Sequence, residues 1–584
     1  MSFDMETAPD LVTLIRQHAA DRPQADAVGF LADPDDISGG VVSWTYEQLD
    51  HQARSYATWL QERLAPQSRV LLLHPTGLDF AAAYFGCIYA GMVAVPAPPP
   101  GRHRHHRHRV ATISADAGVS AILTTSAHLD EIREWADGSG LAHLLTSAEN
   151  EPGSRDPRDW QPVPLDRSTN ALLQYTSGST GDPKGVVINH DNILYNLDAC
   201  HRQLGWPAEW RVGGWIPLYH DLALQGLLNM SVLRGSFALL MEPIAFVRHP
   251  LRWLRVIDEH DLQVSFAPNF AYELCLDRIT DEDVSGLDLS RWRIAGNASE
   301  PVHAGILAAF AAKFAPAGFR PEAFAPIYGM AEATGFITGD SGRSPVVRGV
   351  DLEALAEGRL ADPVGAAPVR EIVGCGAPND ACEVRVVDPE TFVTLPDRRL
   401  GEIWIRGRSV GGGYWGREDD VFSARTDDGE EGFLRTGDLG VLEDGELYVH
   451  GRLKDTLIVR GRNLYPQDIE QELRARHPEL GKVGAVFAGY PTDDGAAEGV
   501  VVTHEVTNAA RDRLPALAAE LRHTVGREFG VQVSAVLLLR PGMVLRTTSG
   551  KVRRSAMRKQ FHEGQLAALY SHPPQPRDTL PAAG

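Results

Sequence analysis

Short apolar runs and polar intervals alternate along the first half of the chain. Residues 69–73 (Arg-Val-Leu-Leu-Leu) and 121–123 (Ala-Ile-Leu) are nearly unbroken apolar runs. That is the pattern of strands buried on both faces. Residues 79–89 lie between them and predict a helix packed beside those strands. Such alternation predicts an α/β layer with parallel strands. The pattern returns from 170 to 330. Past 370 the texture changes: short strand patterns at 383–387, 402–406 and 447–449 sit among Gly, Pro and Asp turns. They predict a small β-barrel or distorted sheet. The chain has 584 residues, too many for one ordinary core, so two to four domains or subdomains are expected.

Composition narrows the class. Hydrophobic residues make up 43% and charged residues 23%, as in a water-exposed globular protein. The formal net charge of −21 opposes nucleic acid or an anionic membrane as a partner of the whole surface. Five scattered cysteines without a C-x-x-C pair fit a reducing, cytoplasmic setting and disfavour a zinc site. The acidic N-terminal MSFDMETAPD lacks an apolar signal core, and no membrane-length apolar run occurs. Residues 102–109, RHRHHRHR, hold four Arg and four His after a Pro-rich turn. A metal-binding tract or a phosphopantetheine-steering patch is conceivable there. A mobile basic loop is the favoured reading, because alternating arginines repel a cation. Residues 571–584, rich in Pro and small side chains, read as a disordered tail.

The densest chemistry is at 175–185, YTSGSTGDPKG, which gathers three glycines, hydroxyls and a lysine. Glycines let several N–H groups turn toward one anion, and Thr176, Ser177, Gly178, Ser179, Thr180, Gly181 and Lys184 suit a polyphosphate. This is not the G-x-x-x-x-G-K-[ST] loop. The strand-like Val-Val-Ile at 186–188 follows, so a loop between two strands is expected.

That loop resembles the phosphate loop of the adenylate-forming superfamily, which includes acyl-CoA synthetases, peptide-synthetase adenylation domains and luciferases. Within it the chain most resembles the fatty acyl-AMP ligases, from about residue 11 to about 561. The resemblance implies a large N-terminal domain (1–453) of two α/β subdomains plus a β-barrel-like subdomain. A small mobile α+β lid (454–570) would follow a hinge at Lys454. IYGMAEAT (327–334) resembles the adenine and metal motif, with Tyr328, Gly329, Met330 and Ala331 at the adenine. Glu332, helped by Thr180, would ligate Mg²⁺, a hard cation that takes carboxylate oxygen. Asn297, Ala298, Ser299 and Glu300 resemble the adenine-edge segment. Asp438 in RTGDLG resembles the ribose contact and Arg452 a second ribose or phosphate contact. Lys551 in VLRTTSGKVRR resembles the lid lysine that bridges carboxylate and α-phosphate, and His220 in PLYHD resembles the gate of the acid site.

Three features point to the ligase branch: the tunnel-wall segments at 246–254 and 267–275, an insertion at about 339–373, and VRGRNLYPQDIE at 459–470. In acyl-AMP ligases this insertion restrains the lid and disfavours transfer to CoA. Here it includes a helical pattern, DLEALAEGRL. Ala223, Gln225, Asn269, Phe270 and Gly335 are the candidate acyl-pocket residues. Ala223 stands where the group has glycine, and Gln225 adds a polar group. These departures favour a shorter, bulkier or partly oxygenated acid over a straight long-chain one. The expected reaction joins a hydrophobic carboxylic acid to ATP, giving acyl-AMP and pyrophosphate. The acyl group then passes to an acyl carrier protein or a partner CoA-transferring enzyme. A complete acyl-CoA synthetase and a non-catalytic binding protein of the same fold are the alternatives.

Overall fold

The computed structural model describes residues 7–573, apart from 34–39, 102–103, 177–182, 366–368, 419, 460–461, 490–498, 508–511 and 547–550. Among these residues two large sheets form the body. A six-stranded sheet runs in the order Leu145–Ala148, Ala121–Thr124, Arg69–Leu72, Val93–Pro96, Asn170–Tyr175, Gly185–Asn189. Its strands are parallel except the last, which turns back antiparallel on Asn170–Tyr175. An eight-stranded sheet is parallel through its centre, with antiparallel edges at Val41–Thr45 and Gly335–Gly339. Val70, Leu71 and Leu72 are fully buried, as helices on both faces of a parallel sheet require. Leu78–Tyr89 is the helix expected beside them.

Past 370 the chain forms a four-stranded antiparallel sheet: Cys382–Val387, Gly401–Gly407, Leu434–Glu443 and Glu446–Arg452. After the turn Leu453–Asp455, a last unit packs the helices Pro466–Arg476, Leu514–Phe529 and Arg554–His562 on a sheet of Leu480–Ala488, Val500–Val506, Val533–Leu539 and Ala568–His572. That unit has its own core, which includes Ile469, Leu473, Val502, Leu521 and Val536.

The insertion is a hairpin of Val347–Asp351 and Val369–Val373, with the short helix Leu352–Ala356 in its connection. Leu352 packs against the core of the last unit. Arg370 pairs with Asp468 on its first helix. Asp468 is only 8% exposed, so this pair is shielded from water. A second bridge joins Lys482 of that unit to Asp277 of the body.

Two sequence readings need correction. Residues 104–109 are not a loop but the opening turns of the helix Arg104–Ala117. Val110, Ile113 and Ala117 bury that helix against the six-stranded sheet, which outweighs repulsion among its basic residues. Ser571 and His572 are not tail: they close the last sheet, pairing with Leu537 and Val536.

Candidate active site

The body and the last unit enclose a cleft of about 990 Å³. The strands Asn170–Tyr175 and Gly185–Asn189 bring Thr176 and Lys184 to its edge. The Thr176 N–H donates to the Lys184 carbonyl at 3.1 Å. Ser177, Gly178, Ser179, Thr180 and Gly181 lie outside the described residues. Arg109 donates to the Thr176 carbonyl at 2.9 Å, so the end of the Arg/His tract braces the loop's first residue.

Glu332 sits on the turn Ala331–Ala333, which continues into Thr334 at φ +60° and Gly335 at φ +128°. The helix His190–Gln203 fixes that turn. Asn196 donates to the carbonyls of Ala333 and Phe336 at 3.2 and 2.7 Å, and accepts from the Phe336 N–H at 3.2 Å. Tyr414 then links Glu332 to Lys184, the two sides of the end predicted to take the phosphates. Its hydroxyl donates to Glu332 Oε1 at 2.8 Å, and its ring centroid lies 4.4 Å from Lys184 Nζ. Backbone bonds from residues 411–415 to Val187, Gly185 and the Glu332 carbonyl hold it there. Burial pushes the Glu332 carboxyl up, against the Tyr414 hydrogen bond. A buried carboxylate raised in this way fits a divalent cation, which would keep it ionised.

The nucleotide candidates are held by a paired sheet edge. Asp438 and Arg452 are register partners, with Arg452 Nε 3.1 Å from Asp438 Oδ1. The buried Tyr328 hydroxyl donates to the other oxygen, Oδ2, at 2.9 Å. Asp438 raises the Arg452 pKa further, so the guanidinium stays charged. Gly329, Met330, Ala331, Ala298, Ser299 and Glu300 line the same cleft. Ser299 has φ +73°, a left-handed conformation that costs a non-glycine residue about 1–2 kcal/mol. Such strain concentrates at functional sites.

Lys551 reaches this cleft from the last unit. Burial lowers its pKa and Arg452 adds to that, while Asp221, Asp438 and Glu300 oppose. Arg554, three residues on, holds Glu470 with two bonds of 2.9 and 2.6 Å and lies 3.7 Å from Asp455 beside Lys454. The lysine's segment is thereby tied to the turn where the last unit begins. Lys454 also lines the cleft. Glu300 accepts from the Phe270 N–H, yet burial raises its carboxyl to about 7. His220 caps the short helix Asp221–Ala223, with Nδ1 2.6 Å from Asp221 Oδ1. Burial pushes Asp221 up, but His220, the Leu222 N–H and Lys551 outweigh it and leave the carboxyl at about 2.

The end of the cleft predicted to take the acid is walled by the helix Asn269–Arg278, by Phe266, Leu222 and Met230, and by Gly335. Trp215 backs it, stacked on Phe246 at 4.0 Å and edge-on to Phe270 at 5.9 Å. Two predicted contacts are not among the lining residues. Ala223 is fully buried in the body core, on the side of its helix turned from the cleft. Asn297 is also buried, its amide donating to Asn269 Oδ1 at 3.3 Å, so it orients Asn269 from behind. Sequence reasoning missed Tyr414, Arg109, Arg554 and Arg370. Tyr414 carried a local signal, an aromatic residue after the glycine run 411–413, and Arg109 and Arg554 ended the segments 102–109 and 544–554 already singled out, whereas Arg370 carried none.

Residues 15–415 match the AMP-binding enzyme family. The chain is 38% identical over 544 residues to the medium-chain-fatty-acid–[acyl-carrier-protein] ligase JamA of Moorena producens, covering 90% of this chain and 91% of that protein. It is 33% identical over 583 residues to the 4-hydroxyphenylalkanoate adenylyltransferase of Mycobacterium tuberculosis, covering 96% and 93%. A solved structure from work on the fatty acyl-adenylate ligases of E. coli and L. pneumophila superposes with a TM-score of 0.86 at 30% identity, covering 96% of this chain and 99% of that one. The chain therefore belongs to the AMP-binding, adenylate-forming enzymes, in their acyl-AMP ligase branch.

Proposed function

We propose that the cleft joins a hydrophobic carboxylic acid, fatty or bulky, to the α-phosphate of ATP and releases pyrophosphate. The observation that carries this reading is Lys551 of the last unit standing in one cleft with Glu332, Asp438, Arg452 and His220 of the body. Two anions, the acid's carboxylate and the α-phosphate, must meet in line. A cation between them lowers that barrier, and the partly dehydrated Lys551 ammonium is well placed to supply it. Asp438 accepts from the ribose hydroxyls, oriented by Tyr328 and Arg452. Lys184 and the glycine-rich loop hold the outgoing phosphates, with Tyr414 steadying Lys184. Glu332, with Thr180, is the carboxylate suited to Mg²⁺, which would shield phosphate charge when bound. His220 gates the acid end.

The acyl acceptor is the phosphopantetheine thiol of a carrier protein. Support comes from the insertion, whose Arg370 and Leu352 hold the last unit against the body and oppose the rotation that CoA attack needs. JamA, named for ligation to acyl-carrier protein, supports the same acceptor.

The test is mass spectrometry of products from purified protein, ATP, Mg²⁺ and a panel of linear, aromatic and polycyclic acids, with CoA or holo carrier protein added separately. The expected result is acyl-AMP that persists with CoA and is consumed by holo carrier protein. Conversion to acyl-CoA at a comparable rate would make the protein a complete acyl-CoA synthetase.

A further inference from the structure

The acid end of the cleft carries a polar feature that the reaction does not use. Leu224–Asn229 is a π-helical turn, a form that often marks a functional site in a helix. It brings Gln225 to the cleft wall among Leu222, Met230, Phe266 and Gly335. Behind Gln225 lies a buried relay. Asn229 Nδ2 donates to Gln225 Oε1 at 2.9 Å and to the Tyr84 hydroxyl, also at 2.9 Å. Gln225 Nε2 and Asn229 Oδ1 then have no hydrogen-bond partner among the described residues. Turning both amides over exchanges donor and acceptor but leaves the same two positions unpaired. Asn196, on the same wall, differs: its amide oxygen and nitrogen are both paired with backbone groups. Gln225 is 4% exposed, and a buried amide left unpaired is a standing cost. Gly335 widens the space beside it. A Cβ there would come 3.7 Å from Gln225 Cβ and Cγ, and its φ of +128° favours glycine.

We propose that Gln225 is a specificity-determining residue that hydrogen-bonds an oxygen carried by the acyl group, so the preferred acid bears a hydroxyl or carbonyl inside the pocket. Asn229 and Tyr84 are positioning residues that hold the Gln225 amide. This inference rests on the ligase reading above and specifies its acid. A hydroxyl satisfies either orientation of the amide, because it both donates and accepts. An unsubstituted alkyl group leaves the amide unpaired after water has been expelled. A site built to bond a polar group rejects the analogue lacking it far more strongly than an apolar pocket rejects an extra methylene.

The test uses matched acids: dodecanoate against its hydroxy and oxo derivatives at successive positions, and 4-phenylbutanoate against its 4-hydroxyphenyl counterpart. kcat/KM for acyl-AMP formation is read from pyrophosphate release. The wild-type protein is expected to favour the oxygenated member of at least one pair by about tenfold or more. Gln225→Leu and Gln225→Met should bring that ratio toward one. An amide that served only to tie the helix together would change overall turnover but not the ratio. Turnover of the parent acids with no preference for oxygen, or a preference that survives both substitutions, overturns this proposal alone. Failure of every acid in the wild-type protein would overturn the ligase reading with it.

Discussion

The body and the last unit build their shares of the cleft in opposite ways. The body's side chains are tied to one another before any ligand arrives: Glu332 to Tyr414, Tyr414 to Lys184, and Asp438 to both Tyr328 and Arg452. The last unit contributes Lys551, held from behind by Arg554 on Glu470 and by the insertion's Arg370 on Asp468. On the proposed function the body is therefore a prebuilt nucleotide cradle, while the position of the proposed catalytic cation, Lys551, depends on where a separately folded unit rests. Damage to the cradle should weaken everything that needs the nucleotide. Damage to the latch should alter which acceptor is used.

The largest expected loss is at the cradle's centre. Glu332→Ala removes the buried carboxylate suited to the metal, and pyrophosphate release should fall by about 10³-fold, since such charge stabilisation is worth several kcal/mol. Raising Mg²⁺ should not restore it. The latch comes next. Arg370→Ala leaves Asp468 buried without its partner, which costs on the order of 3–5 kcal/mol in a shielded pair. Calorimetry should show the loss, and acyl-CoA should appear where the wild-type protein makes acyl-AMP. Loss of stability without acyl-CoA would make the insertion a strut and not a gate.

Smaller effects sharpen the contrast. Tyr414→Phe deletes one hydrogen bond to Glu332 and keeps the ring beside Lys184, so adenylation should drop roughly tenfold. Titration of Glu300 gives a pH test. Its carboxyl is raised to about 7 in the folded protein, so between the ordinary carboxylate range and 7 the folded state binds more protons than the unfolded state. Stability from this group is greatest at low pH and is lost as pH rises toward 7. Glu300→Gln should raise the melting temperature by a few degrees at pH 8 and leave it little changed at pH 5. An equal shift at both values would mean that the charge is not what destabilises.

Much of the cradle was legible because its parts are short local motifs. Thr176 and Lys184 at the ends of the glycine-rich loop, the Tyr328 to Glu332 segment, Asp438 and Lys551 each stand out within about ten residues, and all of them line the cleft. What stayed hidden depends on contacts distant in sequence. Arg109 reaches Thr176, Tyr414 reaches Glu332, Arg370 reaches Asp468, and Asn229 reaches Tyr84. No local spacing encodes such meetings, because sheet order brings them together. Residues 104–109 misled for a related reason. Their charges argued for a loop, while the apolar Val110, Ile113 and Ala117 that follow decide the helix. Ala223 misled by adjacency: it neighbours pocket residues in sequence, but its methyl faces the core.

The most direct test separates the two half-reactions in Lys551→Ala. One assay measures acyl-AMP formation from acid and ATP, the other acyl transfer to holo carrier protein from supplied acyl-AMP. Adenylation is predicted to fall by 10²–10³-fold or more, the loss expected for one removed transition-state charge contact of about 3–4 kcal/mol, while transfer falls far less. Equal losses in both half-reactions would contradict the assignment of Lys551 as the cation at which carboxylate and phosphate meet.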